Sequence, residues 1–161
     1  MARVNHVKKA RKNQPGGIKK GESYYWWKFR FGGKHVSKTY PRPSQLTQSE
    51  YLSAAYSLQE EIEDMSLGDL EDVASELRSV ADELRSLSSD QEEKISNMPC
   101  SLQDGATAEL LRSRSEACEE VAGELESAAN DIDDLIATDN ADGPIEDRAQ
   151  DIIAGISWNL E

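Results

Sequence analysis

Leu70, Val73, Leu77, Val80, Leu84 and Leu87 recur at alternating spacings of three and four. That spacing places them on one stripe of an α-helix. After Asn97, Met98 and Pro99 the pattern resumes with Leu111, Arg114, Cys118, Val121, Leu125, Ala128, Ile132 and Leu135. Ile95 and Met98 extend the first stripe imperfectly, with Gln91 inside it, so each stripe lasts three to four heptads, which predicts coiled-coil pairing. Two such helices joined by a short turn form an antiparallel hairpin, with arms roughly 40–45 Å long at about 1.5 Å per residue. Arg114 interrupts the apolar seam, where it would either fix register by pairing with an acid across the seam or mark the point where a partner helix departs.

The stripes lie in a chain of divided charge. Its 161 residues carry 18 Lys+Arg and 31 Asp+Glu, a net −13. Residues 1–44 hold 12 of the cations and one acid, Glu22, for a net +11. Residues 45–161 hold the remaining 6 cations and 30 acids, for a net −24. The average would argue against nucleic acid as a partner; the first quarter of the chain argues for it. Seven of the ten aromatic residues lie between Tyr24 and Tyr40, so the acidic part builds its core from aliphatic side chains.

The sequence predicts a mainly α (α+β) fold, a basic β-hairpin followed by an antiparallel helical hairpin or coiled-coil bundle. Residues 1–17 read as a basic arm. Val4–Lys12 is expected as a short helix, or as a segment that orders only on binding. Gln14, Pro15, Gly16 and Gly17 break the chain. Residues 18–44 read as a β-hairpin ribbon, because Tyr24, Tyr25, Trp26, Trp27, Phe29 and Phe31 favour strand. Gly32-Gly33 suggests a two-residue turn. That turn pairs Phe31 with Lys34, Phe29 with Val36, Trp27 with Lys38 and Tyr25 with Tyr40. One face is then a core face of Tyr25, Trp27, Phe29, Phe31, Val36 and Tyr40. The other carries Tyr24, Trp26, Lys28, Arg30, His35 and Thr39.

Pro41–Ser44 ends the ribbon. Residues 45–161 read as an acidic helical bundle, with helices about 48–65, 69–97, 102–137 and 144–158. Thr47 and Glu50 suggest a capping box at the first of these. Leu52, Ala55, Gln59, Ile62 and Met65 would form its apolar side. The last opens at Gly143-Pro144 with Asp142 as a cap, and the turn before it lacks the first-position Asp of a calcium loop and has Ala149 where the bidentate Glu belongs.

The basic-aromatic ribbon is the strongest functional signal. Lys and Arg contact phosphates and release counterions, and aromatic rings stack on exposed bases. The candidate nucleic-acid-binding residues are Lys8, Lys9, Arg11, Lys12, Lys19, Lys20, Trp26, Lys28, Arg30, Lys34, His35 and Lys38. The stretch Ile18–Tyr40 resembles the arm-type DNA-binding domain of phage integrases, which implies a small sheet plus a helix that reads DNA. It is also similar to the zinc-ribbon-like start of small phage proteins. The chain has no Cys before Ile18 or near Tyr40, so no zinc site is expected. No integrase catalytic domain follows, so the resemblance does not imply recombination.

His6, His35, Cys100 and Cys118 lack the close ligand pairs of structural metal sites. Cys100 and Cys118 are too far apart along the expected helix to bridge. No phosphate loop, nucleophile motif or marked carboxylate pair is present, so no catalytic residue, metal or cofactor is expected. No apolar run reaches the roughly 18 residues a membrane span needs. These readings describe a non-catalytic accessory protein of the host-cell cytoplasm. DNA or RNA binds the ribbon, and a host or phage protein, or a second copy, binds the helical hairpin. The alternative is a protein-interaction or DNA-mimic module that does not touch nucleic acid.

Overall fold

The computed structural model describes residues 2–138 and 145–160. The expected Asp142 cap and the opening at Pro144 lie outside them. The chain divides into two compact units, Met1–Ser57 and Leu58–Glu161. The division falls inside a helix rather than at the Pro41–Ser44 break.

The first unit is built on a three-stranded antiparallel sheet in the order β1 (Asn5–Val7), β2 (Tyr24–Lys28), β3 (Lys34–Ser37). The N-terminal segment is thus neither a helix nor a free arm. Asn5 pairs with Trp26 and Val7 with Tyr24. Beyond Val7 the two chains stay together. Ala10 donates to the Glu22 carbonyl at 2.8 Å, and Gln14 donates to that of Ile18 at 2.9 Å. The expected breaker is the tip of this long hairpin, where Gly16 and Gly17 take φ values of +75° and +72° that side chains disfavour. Asn13 Oδ1 accepts the Lys20 N–H across the tip at 2.8 Å.

β2 and β3 pair three places away from the expected register. Trp26 faces Val36, Trp27 faces His35 and Lys28 faces Lys34. The turn therefore takes the five residues from Phe29 to Gly33 instead of two. An odd shift exchanges the faces of β3, so Val36 joins Trp26 and not Phe29. The core on that side is Ala10, Ile18 and Tyr24, with Val7, Trp26 and Val36 packed against it. The expected core face is corrected accordingly: Phe31 and Tyr40 are exposed, while Tyr24 is buried.

Trp27 is buried all the same, on the opposite face. Its indole N–H donates to the Gln45 carbonyl at 3.1 Å. Gln45 belongs to a 3-10 turn, Pro43–Leu46. The Ala2 N–H donates to Leu46 of the same turn at 2.9 Å, and the Ser53 hydroxyl donates to Ser44 at 2.9 Å. One turn thus ties together the N-terminus, the sheet and the helix that follows.

That helix, α1 (Glu50–Asp64), starts later than Thr47 predicts. Ser49 acts at its start, its Oγ accepting the Leu52 N–H at 3.3 Å. Its buried side is Tyr51, Ala55, Leu58 and Ile62, which displaces the expected Leu52 and Gln59.

The second unit is mainly helical. α2 (Leu70–Ser96) begins at Asp69, whose carboxylate accepts the N–H groups of Glu71 and Asp72. A 3-10 turn over Cys100–Leu102 leads into α3 (Ala106–Ala137), four residues later than expected. α4 (Ile145–Ala154) ends four residues before the expected 158. α2 and α3 form the expected antiparallel hairpin. Arg85 donates to Glu126 at 2.7 Å and Arg78 to Asn130 at 3.0 Å.

The buried face is broader than two rows. Ala74, Ala81 and Ser88 recur every seven residues on α2, and Ala108, Ser115, Ala122 and Ala129 do so on α3; all are buried. Leu87 is only half-buried and Ser88 lies inside instead, while Gln91 is buried within the stripe as its position predicts. Small side chains at heptad spacing let the two backbones approach closely. Cys100 is exposed and Cys118 buried, and neither is bridged.

Candidate nucleic-acid interface

The first unit carries 12 Lys+Arg against two acids, Glu22 and Glu50, for a net +10. Lys8, Lys9, Arg11, Lys12, Lys19 and Lys20 are exposed along the β1–β2 hairpin and its tip. Lys28, Arg30 and Lys34 are exposed around the β2–β3 turn, and His35 and Lys38 are exposed on and just beyond β3. The fold places these cations on a structured surface, so none needs a disordered arm to display it.

Glu22 is engaged within the unit. Its carboxylate accepts the Lys19 N–H at 2.8 Å and lies 3.6 Å from the Lys38 ammonium. The Lys19 backbone hydrogen bond, with Lys38 assisting, holds its pKa below the ordinary carboxylate value. Among the described residues, no ion pair engages Lys8, Lys9, Arg11, Lys12, Lys20 or Lys28.

The aromatic residues divide differently from the expectation. Trp26 is half-buried against the Ile18 core, and the Lys34 ammonium lies 4.8 Å from its ring centroid and 5.5 Å from that of Tyr24. Trp26 thus packs partly against the core with a cation over its ring. The His35 ring stacks on Trp27 at 5.4 Å and meets Phe29 edge-on at 5.5 Å. His6 stacks on Tyr25 at 4.7 Å, and Tyr25 meets Tyr40 edge-on at 5.5 Å.

Phe31, taken from sequence as core, is 81% exposed. It stands in the β2–β3 turn with the Arg30 guanidinium 5.3 Å from its ring centroid. The signal in the sequence was the Gly32-Gly33 pair, which marks a turn. Its length decides whether Phe31 lies in the strand or outside it.

Among the described residues, no group of three or more His, Cys, Asp or Glu side chains is placed to hold a metal ion. No described helix is long and apolar enough to cross a membrane. Comparison with protein-family models, curated proteins and solved structures finds no match for this chain.

Proposed function

We propose that the basic unit binds DNA or RNA through its phosphates and that the acidic helical hairpin contacts a second protein or self-associates. The mechanism is tethering rather than catalysis, as in a phage-type accessory protein. The observation that carries this reading is the net +10 of a folded unit whose cations stand in solvent. A polyanion releases its condensed counterions on meeting such a surface.

The hairpin's apolar rows are consumed between α2 and α3. Protein contacts are then left to its acidic outer faces and to Leu102 and Leu110, which are exposed near the turn.

The test is a salt titration of the full chain against labelled duplex DNA and RNA. Binding should weaken linearly in log K against log salt. Replacing Lys8, Lys9, Arg11 and Lys12 with Ala should flatten the slope by roughly 0.9 for each duplex phosphate that is no longer neutralised. No binding by the full chain at low salt overturns the reading.

A further inference from the structure

We propose that the β2–β3 turn is a base-stacking tip, with Phe31 the stacking residue and unpaired nucleic acid the ligand. This rests on the reading of the basic unit as a nucleic-acid binder, and it names the class of nucleic acid.

A single exposed apolar side chain is ordinary on a protein surface. Three observations set Phe31 apart. Its backbone is held, since Gln48 Nε2 donates to the Phe31 carbonyl at 3.3 Å. The turn therefore presents the ring from a position already fixed, which lowers the ordering cost of binding. Its neighbours are cationic: Lys28 and Lys34 pair at the base of the turn, and the Arg30 guanidinium lies over the ring, 5.3 Å from its centroid. Finally, it is the most open of the described aromatic residues. Phe31 keeps 81% of its surface in solvent against 63% for Tyr40, while Tyr24 and Trp27 are buried and Tyr25, Trp26 and Phe29 are half-buried. Among the described residues its ring meets the Arg30 cation and no aromatic partner.

An open phenyl ring among Lys and Arg side chains matches what single-stranded nucleic acid offers. Each nucleotide presents a π-face and a phosphate, and stacking with adjacent cations captures both without reading sequence. In a duplex the base faces are already covered by one another, so the ring would enter only by prising a step apart. A lipid surface fits less well. One phenyl ring on a polar turn offers little apolar area, and stable membrane anchoring takes more than one such signal.

The experiment uses the full chain at low salt with a labelled oligothymidylate, a matched duplex, and vesicles of phosphatidylserine and phosphatidylcholine. Phe31→Ala should weaken oligothymidylate binding about tenfold, with duplex affinity changed by less than about twofold. Phe31→Trp should restore it. The ring is exposed, so circular dichroism should show both variants folded. Wild-type affinity in Phe31→Ala overturns the stacking role while leaving salt-sensitive binding, and hence the broader reading, in place. An equal loss on single strand and duplex overturns the assignment to unpaired ligand. No binding of either nucleic acid by the unaltered chain overturns both readings. Vesicle binding that depends on Phe31, without oligothymidylate binding, overturns the proposal in favour of a lipid surface.

Discussion

Ser88 and Ser115 meet across the helical hairpin, their hydroxyls 2.9 Å apart and both closed to solvent. Ser115 also donates to Glu92 at 3.3 Å, so the pair opens onto a carboxylate at the edge. Seven residues back along α2 and seven onward along α3 stand Ala81 and Ala122, and then Ala74 and Ala129. The serine pair thus occupies one rung of a ladder of small side chains, and its hydrogen bond has one geometry only when the helices are in register.

Removing Ser115 takes away the partner of the buried Ser88 hydroxyl, whereas removing Ser88 leaves Ser115 its bond to Glu92. Ser115→Ala should destabilise the chain by about 1 kcal/mol in urea unfolding, and Ser88→Ala by less. The Ser88→Ala/Ser115→Ala double variant should lose less than the sum of the two single variants, with a coupling of roughly 0.5–1.5 kcal/mol. Strict additivity would mean that the two hydroxyls do not interact in solution.

Trp27 anchors the sheet to the Pro43–Leu46 turn through one N–H. Trp27→Phe keeps an aromatic ring but leaves the Gln45 carbonyl without that donor. The expected cost is about 1–3 kcal/mol, read as a lower denaturation midpoint. A midpoint equal to wild type would show that the hydrogen bond contributes nothing net.

Acid should loosen both units. Lys19 and Lys38 hold the Glu22 pKa below 4.5, and Arg85 holds the Glu126 pKa below the same value. The Arg85 pKa is raised by the same hydrogen bond to Glu126, so the two partners agree. A carboxyl group with a lowered folded pKa binds protons more readily when unfolded. Its stabilisation is therefore present above about pH 4.5 and lost as pH falls through the folded pKa. Glu22→Gln and Glu126→Gln should lower the Tm at pH 7 and have little effect at pH 2. An equal drop at both pH values would remove the ionic explanation.

The helical hairpin was legible because its signal is local and repeated. Residues 69–97 were expected for a helix that spans Leu70–Ser96. The third row was not legible. Alanine is both a helix former and a weak hydrophobe, so Ala74, Ala81 and Ala122 look the same whether they face core or water. The sheet register failed for a different reason. Phe29 and Phe31 continue the strand's aromatic pattern, and the contacts they make in the turn are not marked in it. Gln48, seventeen residues on, takes the Phe31 carbonyl, and Phe29 meets His35 across the turn. Strand β1 was hidden by its length of three residues and by the lysines that follow it. Tyr24 and Trp27 are both buried although they lie on opposite faces of the same strand. A strand covered on both sides gives no alternation to read.

The cations of the candidate interface were legible, because charge needs no register. Its aromatic member was not, because exposure of Phe31 depends on where the turn begins.

The ladder of small residues bears on how this chain should be mutated. Alanine scanning treats alanine as the blank against which other side chains are weighed. Here Ala74, Ala81, Ala122 and Ala129 occupy the seam itself, so such a scan would pass over the positions that set the helix spacing. The informative substitutions run the other way. A larger side chain at Ala81 or Ala122 would wedge the helices apart at a cost of about 1–3 kcal/mol, whereas the exposed glutamates a few residues away should accept nearly any replacement. In this hairpin the smallest side chains carry a constraint that truncation does not report.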